Sequence, residues 1–245
     1  MRTDVLGVGF DNYSMARAVD YAVSLTEKDG GHFVVTPNAE ILVNIRKDKA
    51  AREVFEHADL VLPDGIGVIK AAKLLRRPLT ERVAGIDFAQ NLMMEPSCSG
   101  KRIYLLGGAA GVAEEARAKL AHRFPGIDFC GCHHGYFKTS EETAAVVADI
   151  KEKNPDILFV CLGAPKQEKW MYTHLDAFGN CLMAGLGGCL DVWSGRIERA
   201  PQWYIAHGCE WLYRLIKQPS RVGRALKLPY FIGLVILQRT GILKP

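Results

Sequence analysis

Ile157-Leu-Phe-Val-Cys-Leu162-Gly163-Ala-Pro165-Lys-Gln-Glu168 is the passage from which the architecture of this chain is most directly read. Six consecutive apolar residues suit a short strand covered on both faces, as in a parallel sheet. Gly163 ends the run, and Pro165 then stands in the first turn of a helix expected over residues 165–175. The same strand–glycine–helix passage recurs on either side. Residues 103–106 run into Gly107-Gly108-Ala-Ala-Gly111 and a helix over 109–123, and residues 181–186 run into Gly187-Gly188. Outward from these, further strands are expected at residues 5–8, 32–36, 60–62 and 127–130. Ser14 is placed to cap a helix toward Lys28, residues 68–75 read as another, and Ser140-Glu-Glu-Thr opens a third as a capping sequence.

Strands that alternate with helices in this way predict an α/β fold, a Rossmann-like parallel sheet wound by right-handed crossovers. A cluster of turn residues, Glu95-Pro-Ser-Cys-Ser-Gly100, divides the pattern into two α/β halves. From about Ala200 the strand signal stops and the chain reads as short helices punctuated by Pro219 and Pro229. The expected organisation is a core over residues 1–199 and a helical, basic C-terminal appendage over 200–245.

Charge follows that division. From Trp211 onward the chain holds seven of its 31 Lys and Arg and none of its 27 Asp and Glu, so the net charge of +4 belongs to the tail and the rest is net acidic. A tail of this kind seeks phosphate, in a nucleotide, a lipid headgroup or nucleic acid. Its last apolar run, residues 228–237, falls short of the roughly 18 residues that span a bilayer. That run suits either packing on the body or lying at an anionic membrane surface. No secretory signal is read at the amino terminus, and the seven cysteines form an odd set, so a reducing cytoplasmic setting is expected.

Ligands of an open α/β sheet gather at the carboxyl ends of its strands. Thr36-Pro37-Asn38 follows one expected strand, with Asn38 able to cap a helix or reach a ligand. Pro63-Asp64-Gly65 follows another, and Asp64 suits either a helix cap or a general base. The turn at Gly107-Gly108 suits a phosphate at a helix amino terminus. With Asp128 about twenty residues on, it is also a partial dinucleotide fingerprint, which keeps a nicotinamide-dependent oxidoreductase as a rival. Cys130-Gly-Cys132-His133-His134 invites a zinc reading, but no second ligand cluster accompanies it and no metal is expected. Gly163 and Gly187-Gly188 supply further backbone amides. Gln167 and Asp191 are placed to read a nucleotide, whereas Glu168 and Lys169 read as a solvated first turn. The chain contains no Asp-x-Asp, the pattern with which many sugar-nucleotide transferases hold a divalent ion. A diphosphate leaving without metal needs positive side chains or helix amino termini, and the arginine-rich tail can supply them.

These motifs, together with Arg82-Val-Ala-Gly85-Ile-Asp87, His134-Gly-Tyr-Phe137, Arg199-Ala-Pro201 and Glu210-Trp-Leu-Tyr-Arg214, resemble in their order the WecG/TagA/CpsF family, glycosyltransferase family 26. The resemblance implies inverting transfer of N-acetylmannosamine from its UDP ester to the 4-hydroxyl of N-acetylglucosamine on undecaprenyl diphosphate. Related donors are UDP-N-acetylmannosaminuronic acid and UDP-hexoses. No metal or other cofactor is implied. Asp64 would be the general base, with Thr36, Asn38 and Arg82 positioning sugar groups. Gly107, Gly108, Tyr136, Gly163, Gln167, Gly187 and Asp191 would hold UDP. Arg214, Arg221 and Arg224 would close over the diphosphate. A peripheral site on the inner face of the cell membrane is implied, with no nucleic-acid partner, and the apolar tail also suits self-association.

Overall fold

The computed structural model describes residues 2–219 and 222–243, without the side chains of residues 224 and 225. Chain order begins with a hairpin of β1 (Thr3–Val5) and β2 (Val8–Phe10), then α1 (Met15–Leu25), β3 (His32–Val35), α2 (Ala39–Ile45), α3 (Lys49–His57), β4 (Leu60–Val61), α4 (Ile66–Leu74) and α5 (Gly85–Met94). It continues through β5 (Arg102–Gly107), α6 (Val112–Arg123), β6 (Asp128–His133), α7 (Ser140–Lys153), β7 (Ile157–Cys161), α8 (Lys166–Thr173), β8 (Leu182–Gly185) and α9 (Cys189–Trp193). Four helices follow: α10 (Gln202–Ala206), α11 (Glu210–Lys217), α12 (Val222–Ala225) and α13 (Lys227–Arg239).

Six strands form one parallel sheet in the order β4-β3-β8-β7-β5-β6. The expected α/β architecture is therefore present, and its two halves share a single sheet because β8 pairs with β3. Alternation along each strand divides the core. Phe33, Val35, Leu106, Leu158, Val160 and Met183 face one cluster, whereas Val34, Ile103, Leu105, Phe159, Leu182 and Ala184 face the other. Helices α1, α5, α6 and α9 cover the second face, and α2, α3, α4, α7, α8 and α13 cover the first.

Several local expectations need correction. Residues 5–8 are not a strand of the sheet. Leu6 and Gly7 adopt φ of 54° and 84°, the two left-handed positions of a tight hairpin turn between β1 and β2. The helix expected to open on Ser140 is capped one residue earlier, by Thr139 in a capping box with Glu142. The strand expected at 127–130 runs three residues further, to His133.

The tail divides in its packing. In α13, Phe231, Leu234 and Val235 are buried against the body. Its ends are also tied: Lys227 donates to Asn44 at 2.7 Å, and Gln238 accepts from the Leu6 amide at 2.9 Å. Helices α10 and α11 bury no residue at all.

Candidate active site

Because the six strands are parallel, their carboxyl ends lie along one edge, and every strand-end motif reaches it. Thr36 follows β3, Asp64 follows β4, Gly108 follows β5, Tyr136 follows β6, Gly163 follows β7 and Gly187 follows β8. Together with Asn38, Gln167, Asp191 and Arg214 these residues line a cavity of about 700 Å³. A second cavity of about 230 Å³ opens beside it, walled by Ile66, Trp211, Leu215 and Leu228 and by Arg82. Asn38, Glu40, Asp64, Glu210 and Arg214 line both cavities.

Asp64 is fixed by its backbone. Its amide donates to the Pro37 carbonyl at 3.2 Å, and the Pro63 carbonyl accepts from the Val83 amide at 3.0 Å, so β3, β4 and the Arg82 loop converge on it. Gly65 follows with φ of 92°, a conformation natural to glycine, and serves as N-cap of α4 without any side-chain capping bond. The carboxylate of Asp64 is thus not used to cap the helix. Burial pushes it up to about 6, against the opposing pull of Arg82 and Arg214, while Glu210 and Asp87 push the same way as burial. A carboxyl group set near the operating pH at the meeting point of two cavities can accept a proton from a hydroxyl group.

The other predicted residues are placed as follows. The Thr36 hydroxyl donates to the Gly185 carbonyl at 2.9 Å, tying the ends of β3 and β8. Asn38 does cap α2, accepting from the Ile41 amide at 3.1 Å, while also lining both cavities. At Gly107 the chain passes so close to β7 that an added Cβ would stand 2.3 Å from the Cys161 carbonyl oxygen. Gly108 follows at the cavity wall, and Tyr136 stands exposed at the rim. Gln167 is buried: its carboxamide donates to Glu168 at 2.9 Å and accepts from the Gly187 amide at 3.0 Å. It therefore shapes the Gly187-Gly188 turn from behind. Arg82 and Arg214 meet at Glu210, 3.3 Å and 2.5 Å from its two oxygens. Arg221 lies outside the described residues, as does the side chain of Arg224.

Two sequence readings are overturned. Asp128 opens β6 and pairs with Arg102 at 3.3 Å, at the opposite end of the sheet from Gly108. It cannot serve a ribose bound at the Gly107-Gly108 turn, and the dinucleotide reading falls with it. Glu168 is not a solvated residue but is 0% exposed. Burial pushes its carboxyl up to about 7, and its Oε2 has no hydrogen-bond partner among the described residues. Lys169 does face outward, paired with Asp48 at 2.8 Å. The Cys130–His134 segment is occupied locally: His133 contacts the His134 carbonyl at 2.8 Å, and His134 accepts from the Tyr136 amide at 3.2 Å. Among the described residues no group of three or more His, Cys, Asp or Glu is placed to hold a metal ion. All seven cysteines are unpaired.

Glu40 and Glu210 carry no prediction from the sequence, although Glu210 stands in one of the motifs quoted above. A residue at the start of a helix outside the sheet gives no local sign that it turns into the cleft.

The chain matches the model of the glycosyl transferase WecG/TagA/CpsF family over residues 3–244. It is similar to the N-acetylglucosaminyldiphosphoundecaprenol N-acetyl-beta-D-mannosaminyltransferase of Staphylococcus aureus, with 36% identity over 94% of this chain and 91% of that protein. The protein of the same name from Bacillus spizizenii is also 36% identical, over 89% of this chain and 84% of its own length.

Proposed function

The chain belongs to the WecG/TagA/CpsF glycosyltransferase family, and on that premise we propose that it moves N-acetylmannosamine from a UDP donor to N-acetylglucosamine carried on undecaprenyl diphosphate. The observation that carries this reading is the position of Asp64, at the junction of a wide cavity edged by glycine turns and a narrower one with apolar walls. UDP occupies the wide cavity, its diphosphate toward the Gly107-Gly108, Gly163 and Gly187-Gly188 turns and its uridine toward Tyr136 and Asp191. The acceptor enters from the narrower side, where Ile66, Trp211, Leu215 and Leu228 suit the first carbons of its lipid.

Asp64 takes the proton of the acceptor's 4-hydroxyl as that oxygen attacks the anomeric carbon of the donor. The bond from that carbon to the β-phosphate oxygen breaks on the opposite face, and the configuration inverts. Thr36, Asn38 and Arg82 orient the sugars. Arg214, joined by Arg221 and Arg224, takes up the negative charge that develops on departing UDP, so the step needs no metal ion.

In this reading residues 1–199 form the transferase core and 200–245 an appendage that meets the membrane. Exposed Trp211, Ile216, Ile232 and Ile236, in a tail that holds no Asp or Glu from Trp211 onward, support peripheral docking on an anionic inner leaflet. No helix among the described residues is long and apolar enough to cross a membrane. The test is UDP release from UDP-N-acetylmannosamine in EDTA, with and without a lipid-diphosphate N-acetylglucosamine analogue. Acceptor-dependent release is expected. Release that requires added metal, or none with any UDP sugar, overturns the reading.

A further inference from the structure

Five alternating charges run from the cavity wall at Arg214 and Glu210 to Arg199. Arg214 of α11 meets Glu210 at 2.5 Å, Glu210 meets Arg82 at 3.3 Å, Arg82 lies 4.0 Å from Asp87, and Asp87 holds Arg199 at 2.6 Å. Glu210 is the member that joins the tail to the body, since Arg82 belongs to the loop before α5 and Arg214 to α11. Its side chain is 17% exposed and that of Arg82 16% exposed, so the pair is shielded from bulk water and screened weakly. Helix α11 has no buried side chain with which to dock. Among the described residues its other side-chain ties outside the helix, Tyr213 and Lys217 to Glu198, reach the segment leading into the tail.

We infer that Glu210 is a positioning residue, which anchors α11 to the body and holds two guanidinium groups converged beside Asp64, that of Arg214 toward the donor diphosphate and that of Arg82 toward the sugars. A planar guanidinium binds phosphate through paired N–H bonds and needs its orientation set before the phosphate arrives. Glu210 sets both at once, one per carboxylate oxygen, and leaves further N–H donors on each for the substrate. The assignment of Arg214 to the diphosphate and of Arg82 to the sugars rests on the function proposed above; the tie between α11 and the body does not.

The experiment compares wild type with E210A, E210Q and E210D in acceptor-dependent UDP release across pH, alongside D64N. For E210A, kcat falls on the order of 10²-fold, the loss expected when reacting groups are displaced by about an ångström. E210D recovers more of it than E210Q. The charged groups around Asp64 are Arg82, Glu210, Arg214 and Asp87. Removing Glu210 takes away a negative charge beside Asp64 and leaves Arg82 with Asp87 alone, 4.0 Å away, so the acid limb of the rate profile of E210Q moves to lower pH. Wild-type kcat with an unmoved limb overturns the inference, and so does a loss of activity with an unmoved limb, which would mark a merely structural residue. If wild type itself releases no UDP, the donor and acceptor reading fails separately. Hydrogen–deuterium exchange over residues 210–217 then decides the anchor alone: faster in E210A if Glu210 holds α11, unchanged if it does not.

Discussion

The two ends of the parallel sheet carry the same residue type and treat it in opposite ways. At the amino end, Asp59, Asp128 and Asp156 stand at the entrances to β4, β6 and β7, and each is tied to a neighbour where it stands. Asp59 accepts from the Phe33 amide at 2.9 Å and contacts His32 at 2.9 Å. Asp156 accepts from the Arg102 amide at 2.7 Å, and Asp128 pairs with Arg102 at 3.3 Å. At the carboxyl end, Asp64 follows β4 into a cavity, and burial raises its carboxyl. Acids that close off exposed strand amides hold the sheet in place. An acid at the edge where backbone turns leave a cleft is kept ready to take up a proton. The end of the strand, more than the residue, decides the role.

The largest effect that tests this contrast is at Asp64. D64N removes the base without changing its size, and loss of general-base catalysis typically costs about 10²–10⁴ in rate. The variant is expected to keep its affinity for UDP in calorimetry, and loss of UDP binding would make Asp64 a donor ligand instead. The sign of the pH dependence follows from the raised carboxyl. The base must be ionised to act, so the wild-type rate falls as pH drops through about 6 and is fully developed above it. An acid limb near 4 would mean that Asp64 is not the titrating base.

A somewhat smaller effect is expected at Arg214. Removal of one charged donor from a developing anion costs about 10²–10³ in kcat, and R214A places the loss in kcat more than in the affinity for acceptor. The measurement is kcat with the lipid-linked acceptor at saturating donor. A change confined to the acceptor KM would assign Arg214 to the lipid diphosphate.

The catalytic edge was legible in the sequence because of topology. Short apolar runs with a glycine, proline or asparagine directly behind them mark strand ends, and a parallel sheet brings all such ends to one side. Thr36, Asp64, Gly108, Gly163 and Gly187 converge for that reason. What could not be read locally depended on exact bounds or on contacts distant in the chain. Asp128 stands about twenty residues beyond the Gly107-Gly108 turn, and that spacing alone offers it to a ribose; β6 begins at Asp128 and so holds it at the amino end. The left-handed Leu6 is invisible in composition, since leucine carries no preference for that conformation. Glu168 looked like a solvated first-turn acid, but α8 lies along the sheet and turns that side inward. The closure of Glu210 on Arg82 joins residues 128 apart, which no motif spacing encodes.

Glu168 sharpens the comparison as a third kind of acid, at the carboxyl end yet closed off from the cavity. Its folded carboxyl sits at about 7, above the ordinary 4.5, so the fold favours the protonated form. Its contribution to stability is therefore complete below about 4.5 and is lost as pH rises through 7. A shift of that size corresponds to about 3 kcal/mol between the two limits. E168Q mimics the protonated acid at every pH. It is expected to melt close to wild type at pH 4.5 and clearly above it at pH 8, by scanning calorimetry. Equal melting temperatures at pH 8 would mean that Glu168 ionises inside the fold with a partner not recognised above.

The smallest effect belongs to the amino end and is a stability effect alone. Asp156 accepts from the Arg102 amide at the start of β5 and lies 3.8 Å from Lys101, while its own amide donates to the Arg102 carbonyl. D156A leaves the backbone pairing intact and removes one charged acceptor from a half-exposed site, a loss of about 1–2 kcal/mol. For a chain of this length that lowers the melting temperature by roughly 2–8 °C. kcat, donor KM and the acid limb should be unchanged, because the strands β5 and β7 separate Asp156 from the cleft at their far ends. A change in the rate profile of D156A would show that the two ends of the sheet are coupled, and the division of roles between them would not hold.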